Sequence, residues 1–186
     1  MYRWPCILLV VLASAGVHAM PLGAAEDELQ QFIVDKGLLN KLEQMSQTVT
    51  DHASDLVVNA MGFLGVPYRR GGNSAETGFD CSGFVRALYQ STVGLVLPRR
   101  ANEQAAATQK IDKQDLQPGD LVFFNTMRRA FSHVGIYIGE GKFIHSPKPG
   151  AEVRVESMGQ GYWQRRFDGA RRVLGLSTAE SQSVTP

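Results

Sequence analysis

The chain has 186 residues, 44% hydrophobic and 20% charged, with 19 basic and 18 acidic side chains for a net charge of +1. That length and composition suit one compact domain of about 120 residues with extensions. The near-neutral balance makes no general case for nucleic acid as a partner, and no internal repeat is visible.

The first segment, "MYRWPCILLVVLASAGVHAM", has a free amine and Arg3, then an apolar run over 6–17, then a small-residue site ending "VHA". This is the layout of a secretory signal peptide over 1–19, with a second cleavage site as late as Ala25 in "LGAA". A retained anchor is the alternative, though the apolar run is short for a bilayer span. Export to the periplasm or cell envelope of a bacterium is therefore expected, with membrane contact only during export. Cleavage leaves Cys81 as the only cysteine, and His52, His133 and His145 as the only imidazoles. An odd thiol in an oxidising setting suggests intermolecular pairing or a reactive group.

Residues 20–54 are polar, with scattered apolar positions at Leu38, Leu39, Leu42 and Met45 and an interruption at Gly37. They read as a partly helical extension, with His52 a plain surface residue. Ser54 or Asp55 is expected to cap a helix carrying Leu56, Ala60, Phe63 and Leu64, ended by "GVPYRRGG". The stripe Phe84, Val85, Leu88, Tyr89 predicts an amphipathic helix over about 82–92. "LQPGDLVFF" is a turn feeding a strand, and "SHVGIYIGEGKFIHS" a hairpin. "EVRVES" and "ARRVLGL" read as further strands, and 176–186 as an unstructured tail. Arginine pairs recur ("YRRGG", "LPRRAN", "MRRAF", "WQRRF", "ARRVL"). Most read as solvated surface; attraction to an anionic polymer is the sharper alternative. Helices first and then antiparallel strands define an α+β domain over 55–175, with helices packed on one face of a mostly antiparallel sheet.

Cys81 lies in "GFDCSGFV", where a loop becomes a helix. The unpaired N–H groups of a helix start favour an anion there, which lowers a thiol pKa from about 8.5 and raises the thiolate fraction. By itself that position suits a small buried hydrophobe better than a nucleophile. His133 and His145 share a face of their hairpin if the loop has an odd number of residues. A loop over Gly139–Gly141 meets that condition and sets His145 opposite Gly135. The set then reads as nucleophile Cys81, base His133 and orienter His145. Zinc held by the same three side chains is the rival, and no close ligand pair supports it. A wholly structural role for all three is the other. The nucleophile reading leads, and it requires no metal and no cofactor.

The string "GVPYRRGG…GFDCSGFV…LPR…LQPGDLVFF…SHVGIYIG…FIHS" resembles the NlpC family of bacterial cell-wall cysteine peptidases over about 55–175. The resemblance implies a papain-like α+β core with the nucleophile at a helix N-terminus. It implies Cys81 as nucleophile, His133 as base and His145 as third polar member. Tyr68 would help hold the oxyanion, and Asp80 and Ser82 would help contact substrate; Asp80 serves equally as a helix cap. Arg99 matches a family position too, with a structural role as one reading. The implied substrates are peptidoglycan stem peptides, with cleavage between γ-D-glutamyl and a diamino acid, by a monomer that has at most a regulatory protein partner. An amidase or acyltransferase on the same scaffold, or a non-catalytic wall-binding protein, are the alternatives.

Overall fold

The computed structural model describes residues 37–174. The expected signal segment, residues 20–36 and the tail lie outside the described residues. The chain divides into two compact units, residues 1–42 and 43–186. Everything below except the start of the first helix belongs to the second.

Helix α1 spans Leu38–Met61. It does not start at Ser54 or Asp55, because residues 38–61 contain no glycine or proline and are rich in straight-chain helix formers. The break lies instead at Gly37, whose φ of 61° stands just outside the helix. His52 is half-buried on α1 rather than a plain surface residue. Leu56 and Ala60 are fully buried. The expected positions Phe63 and Leu64 fall past the helix end; Phe63 turns back to meet the Phe79 ring edge-on at 5.4 Å.

A short hairpin of β1 (Asn73–Ser74) and β2 (Gly78–Phe79) leads into α2, Cys81–Val93. Asp80 caps α2, its side chain accepting from the Gly83 N–H at 2.8 Å, and Gly94 closes it at φ 71°. The predicted stripe Phe84, Val85, Leu88, Tyr89 is buried. Gly83 lets the helix start meet the loop before β1: a Cβ there would lie 2.0 Å from the Gly72 carbonyl oxygen.

After α3 (Ala101–Ala106) come β3 (Gln109–Ile111), β4 (Leu121–Phe124), β5 (His133–Gly139), β6 (Lys142–His145), β7 (Arg154–Ser157), α4 (Gly161–Gln164) and β8 (Phe167–Arg172). The six long strands form one sheet in the order β3-β8-β4-β5-β6-β7, each neighbouring pair antiparallel. The last strand begins before "ARRVLGL" and ends within it, because Phe167, Gly169 and Ala170 pair with β4. Cross-strand pairing, not local propensity, sets those ends.

All four residues of β4 are buried, so both faces of the sheet are covered. Leu121 and Phe123 face a core shared with α1, α2 and α3, together with Val134, Ile136 and Ile144. Val122 and Phe124 face a second cluster with Phe143, Met158 and Trp163. The three longer helices serve the first face, as expected of an α+β domain. The one-turn helix α4 supplies Trp163 to the second.

Candidate active site

Cys81 is the first residue of α2, one position earlier than the sequence suggests, so its sulfur stands where the helix N–H groups are unpaired. It packs at the edge of the first core and lines an open cleft of about 1210 Å³. Tyr68, Ser82, Arg99, His133 and Trp163 line the same cleft.

The hairpin brings the two histidines together by a different turn from the one predicted. Tyr137 pairs with Phe143 and Ile136 with Ile144, but Gly139 pairs with Lys142, so the register slips by one at Ile138. The connection is a tight turn at Glu140 and Gly141, both at positive φ (51° and 67°), preceded by a bulge. The bulge restores the parity an odd loop would have supplied. Extending the inner register sets His145 opposite Gly135, where an added Cβ would lie 3.1 Å from the His145 Cβ. His133 Nε2 and His145 Nδ1 are 2.7 Å apart, too close for a metal ion between those two nitrogens. His133 Nδ1 is the ring nitrogen left over for the cleft.

His145 is fully buried and does not line the cleft; the cleft residue its ring bonds is His133. Phe124, Phe143 and Trp163 enclose the pair, with Trp163 stacked on His133 at 5.6 Å and edge-on to His145 at 5.1 Å. This apolar box explains the electrostatics. Burial, with His145 adding to it, holds the His133 pKa well below the usual 6.5, against an opposing pull from Glu156. Burial likewise lowers His145, opposed by Glu156. Both rings are neutral at neutral pH.

The thiol departs from expectation. Burial first and the Asp80 carboxylate second push Cys81 up to about 11. The Val134 and Ser82 N–H groups and Arg99 pull the other way and lose. The capping carboxylate that starts the helix thus offsets the helix-terminal charge that would favour a thiolate. In the free protein Cys81 is thus a neutral thiol and His133 a neutral imidazole, both on the wall of one cleft.

Asp80 lines the cleft and is already heavily bonded. Arg99 grips it through Nη1 to Oδ1 at 2.9 Å and Nη2 to Oδ2 at 2.6 Å, and the Gly71 N–H reaches Oδ2 at 3.0 Å. The cap expected of it is present. Arg99 also donates to Ser82 Oγ at 3.0 Å, so Ser82 faces the cleft already engaged. Tyr68 is half-buried on the cleft wall, its pKa raised by burial and then by the neighbouring Cys81 and Asp80 charges.

Sequence reasoning missed Glu156, Arg154 and Trp163. Glu156 Oε2 lies 3.7 Å from His145 Nε2. Trp163 Nε1 donates to Oε2, and Arg154 Nε donates to Oε1 at 2.5 Å. His145 with its partners brings the Glu156 pKa down to about 2. The alternation in "EVRVES" puts Arg154 and Glu156 on one face of β7. Only the pairing of β7 with β6, Phe143 opposite Glu156 and His145 opposite Arg154, reveals that this face meets the histidines.

A cysteine on the first turn of a helix, packed on an antiparallel sheet whose strands carry two bonded histidines, is the papain-like α+β arrangement. The NlpC/P60 family profile matches residues 65–172. The chain is 48% identical over 118 residues to the murein DD-endopeptidase MepH of Escherichia coli, covering 62% of this chain and 44% of that protein. To the gamma-DL-glutamyl hydrolase of Bacillus subtilis it is 37% identical, covering 69% and 31% respectively. It therefore spans less than half the length of these two relatives. The E. coli protein named murein DD-endopeptidase MepS/murein LD-carboxypeptidase is 34% identical over 88% of this chain and 78% of its own length. Among solved structures, an NlpC/P60 family protein from Bacillus cereus superposes with a TM-score of 0.61 at 39% identity, covering 66% of this chain and 40% of the other. The chain belongs to the NlpC/P60 family, a family of cysteine peptidases.

Proposed function

We propose that this protein is an exported cysteine endopeptidase that hydrolyses an amide bond of peptidoglycan stem peptides through a Cys81 thioester. The observation that carries the reading is the bonded His133–His145 pair, with His133 and Cys81 lining one cleft. The names of the relatives supply the substrate.

The resting thiol is neutral, so its proton leaves as the substrate is attacked. His133 Nδ1 takes the proton while sulfur bonds to the scissile carbonyl carbon. The resulting oxyanion is held by the Cys81 backbone N–H, free at the helix start, and by the Tyr68 hydroxyl. His133 then protonates the leaving amine as the C–N bond breaks. Finally it draws a proton from water, whose oxygen replaces sulfur on the acyl carbon, and returns that proton to sulfur.

The γ-D-glutamyl–diamino acid bond is the expected cleavage site, supported by the relative named gamma-DL-glutamyl hydrolase. The more similar relative is named a DD-endopeptidase, which favours the cross-link between two stems as a second reading. Incubating the mature protein and Cys81→Ala with defined linear and cross-linked muropeptides, and weighing the products, separates these. Release of an L-Ala-γ-D-Glu fragment supports the first, and separation of two intact stems supports the second. A retained acceptor in place of water marks an acyltransferase. Equal release by both proteins, or by neither, overturns the enzyme and leaves a wall-binding scaffold. Export belongs to the same proposal: the N-terminus of protein recovered from cells should begin at residue 20 or 26, and an intact Met1 would refute it.

A further inference from the structure

We propose that Glu156 is a positioning residue that sets the direction of every hydrogen bond from β7 through His145 and His133 to Cys81. The inference rests on the reading that Cys81 and His133 are the reacting pair.

Two imidazoles bonded through Nδ1 and Nε2 can share their proton in either of two ways. If His145 carries its proton on Nε2, its Nδ1 is a lone pair that accepts from His133 Nε2–H. That leaves His133 Nδ1 as a lone pair for the Cys81 proton. If His145 carries its proton on Nδ1, the chain reverses. His133 must then accept at Nε2 and carry its own proton on Nδ1, facing the cleft, where it cannot act as a base. The 2.7 Å contact is compatible with both. Something beyond the pair must choose.

His145 Nε2 is buried and has no hydrogen-bond partner within bonding distance among the described residues. The Glu156 carboxylate oxygen lies next beyond it, at 3.7 Å, in ion-pair range. A carboxylate only accepts, so it stabilises the tautomer with the proton on Nε2 and repels a lone pair there. The carboxylate is itself fixed. Trp163 donates to the oxygen that faces His145, and Arg154 donates to the other. Glu156 on β7, Trp163 on α4 and His145 on β6 thus hold one another in place. A neutral histidine is a weak orienter for a neighbouring imidazole, and this second layer supplies the direction it lacks.

Glu156→Gln tests the assignment with almost no change of shape. The Arg154 donor keeps the amide oxygen, which turns the amide NH2 toward Trp163 and His145 Nε2. That NH2 donates into the Nε2 lone pair and favours the reversed chain. Long-range ¹H–¹⁵N correlation spectra of histidine-labelled protein read the tautomers directly. We expect the wild type to show Nε2–H on both rings, and Glu156→Gln to shift both protons to Nδ1. Iodoacetamide labelling of Cys81 at neutral pH should slow in Glu156→Gln. Turnover should fall on the order of 100-fold or more through kcat, the scale on which wrong-tautomer variants lose rate. Glu156→Asp, which keeps a carboxylate, should recover at least about tenfold of that loss. In a His145→Gln background, where no imidazole tautomer remains, the further Glu156→Gln change should cost less than about threefold.

A wild-type spectrum with the His145 proton on Nδ1 overturns the proposal, whatever becomes of the variant's folding. So do unchanged tautomers in Glu156→Gln, or an equal loss in both backgrounds, which would mark Glu156 as a mere prop for Trp163 and Arg154. The spectra and the labelling need no substrate, so failure on every muropeptide would sink the peptidoglycan reading and leave this one standing or falling by itself.

Discussion

Cys81 and His133, the proposed reacting pair, line one cleft, and the resting protonation of each is set by what it is buried against. Because the thiol is pushed up to about 11, the midpoint of iodoacetamide labelling against pH should lie above the roughly 8.5 of a free thiol. A midpoint below that value would mean a standing thiolate–imidazolium pair. Turnover needs only neutral His133, whose pKa is held well below 6.5. The kcat/KM profile should therefore be flat from about pH 6.5 upward through neutrality and fall only in acid. At this scale the candidate cysteine and the two histidines that prove to be bonded were legible, because the chain has few such side chains and motif spacing singles them out. Glu156 was not, because a lone carboxylate in a strand of alternating polarity looks like solvated surface until its neighbouring strand is known.

The β5–β6 hairpin and the start of α2 are the elements that place the site. Gly135 is where β5 must stay bare: a Cβ would lie 2.7 Å from the Phe143 ring and 2.9 Å from the Ile144 carbonyl oxygen. Gly135→Ala should destabilise the protein by about 1–3 kcal/mol by overpacking, and should lower kcat by shifting His145 against His133. Chemical unfolding and steady-state rates check both. Removing the α2 cap in Asp80→Ala costs about 1 kcal/mol from the cap alone. It also frees Arg99 from its carboxylate and removes the charge that raises the thiol pKa. The same variant should therefore move the labelling midpoint of Cys81 downward while lowering the melting temperature. A midpoint that rises or stays put would refute the account of the thiol. The shared face of the two imidazoles was expected from an odd three-residue loop; the bulge at Ile138 that achieves it instead was not legible, since Gly-Glu-Gly admits both a longer loop and a tight turn.

Across the whole molecule, burial of two neutral imidazoles links stability to pH. The folded protein resists protonating His133 and His145, both below the usual 6.5, while the unfolded chain takes up those protons near that value. Their contribution is present in full above about 6.5 and is lost as the pH falls from there through the lowered folded-state values. The melting temperature should drop on acidification below that point, with a shallower slope in His145→Gln. An equal slope would sink the linkage. The cleft is also charged asymmetrically. Asp80 is paired with Arg99 and Glu156 with Arg154, whereas Arg70, Arg129 and Lys148 on its walls form no ion pair among the described residues. If the substrate is the acidic stem peptide proposed above, these cations should draw it in, so Arg129→Glu should raise KM more than it lowers kcat, and added salt should shrink the difference.

Local pattern by itself singled out Cys81, His133 and His145 as the candidates for chemistry, placed the start of α2 to within one residue and put the main strands after the main helices. These depend on capping residues, on the periodicity of apolar positions and on a motif order that no distant contact alters. The length of α1, the limits of β8, the raised thiol pKa and the carboxylate behind His145 were decided by tertiary structure. Each depends on which strand lies beside which and on how much water is excluded there, and both are properties of residues far apart in the chain.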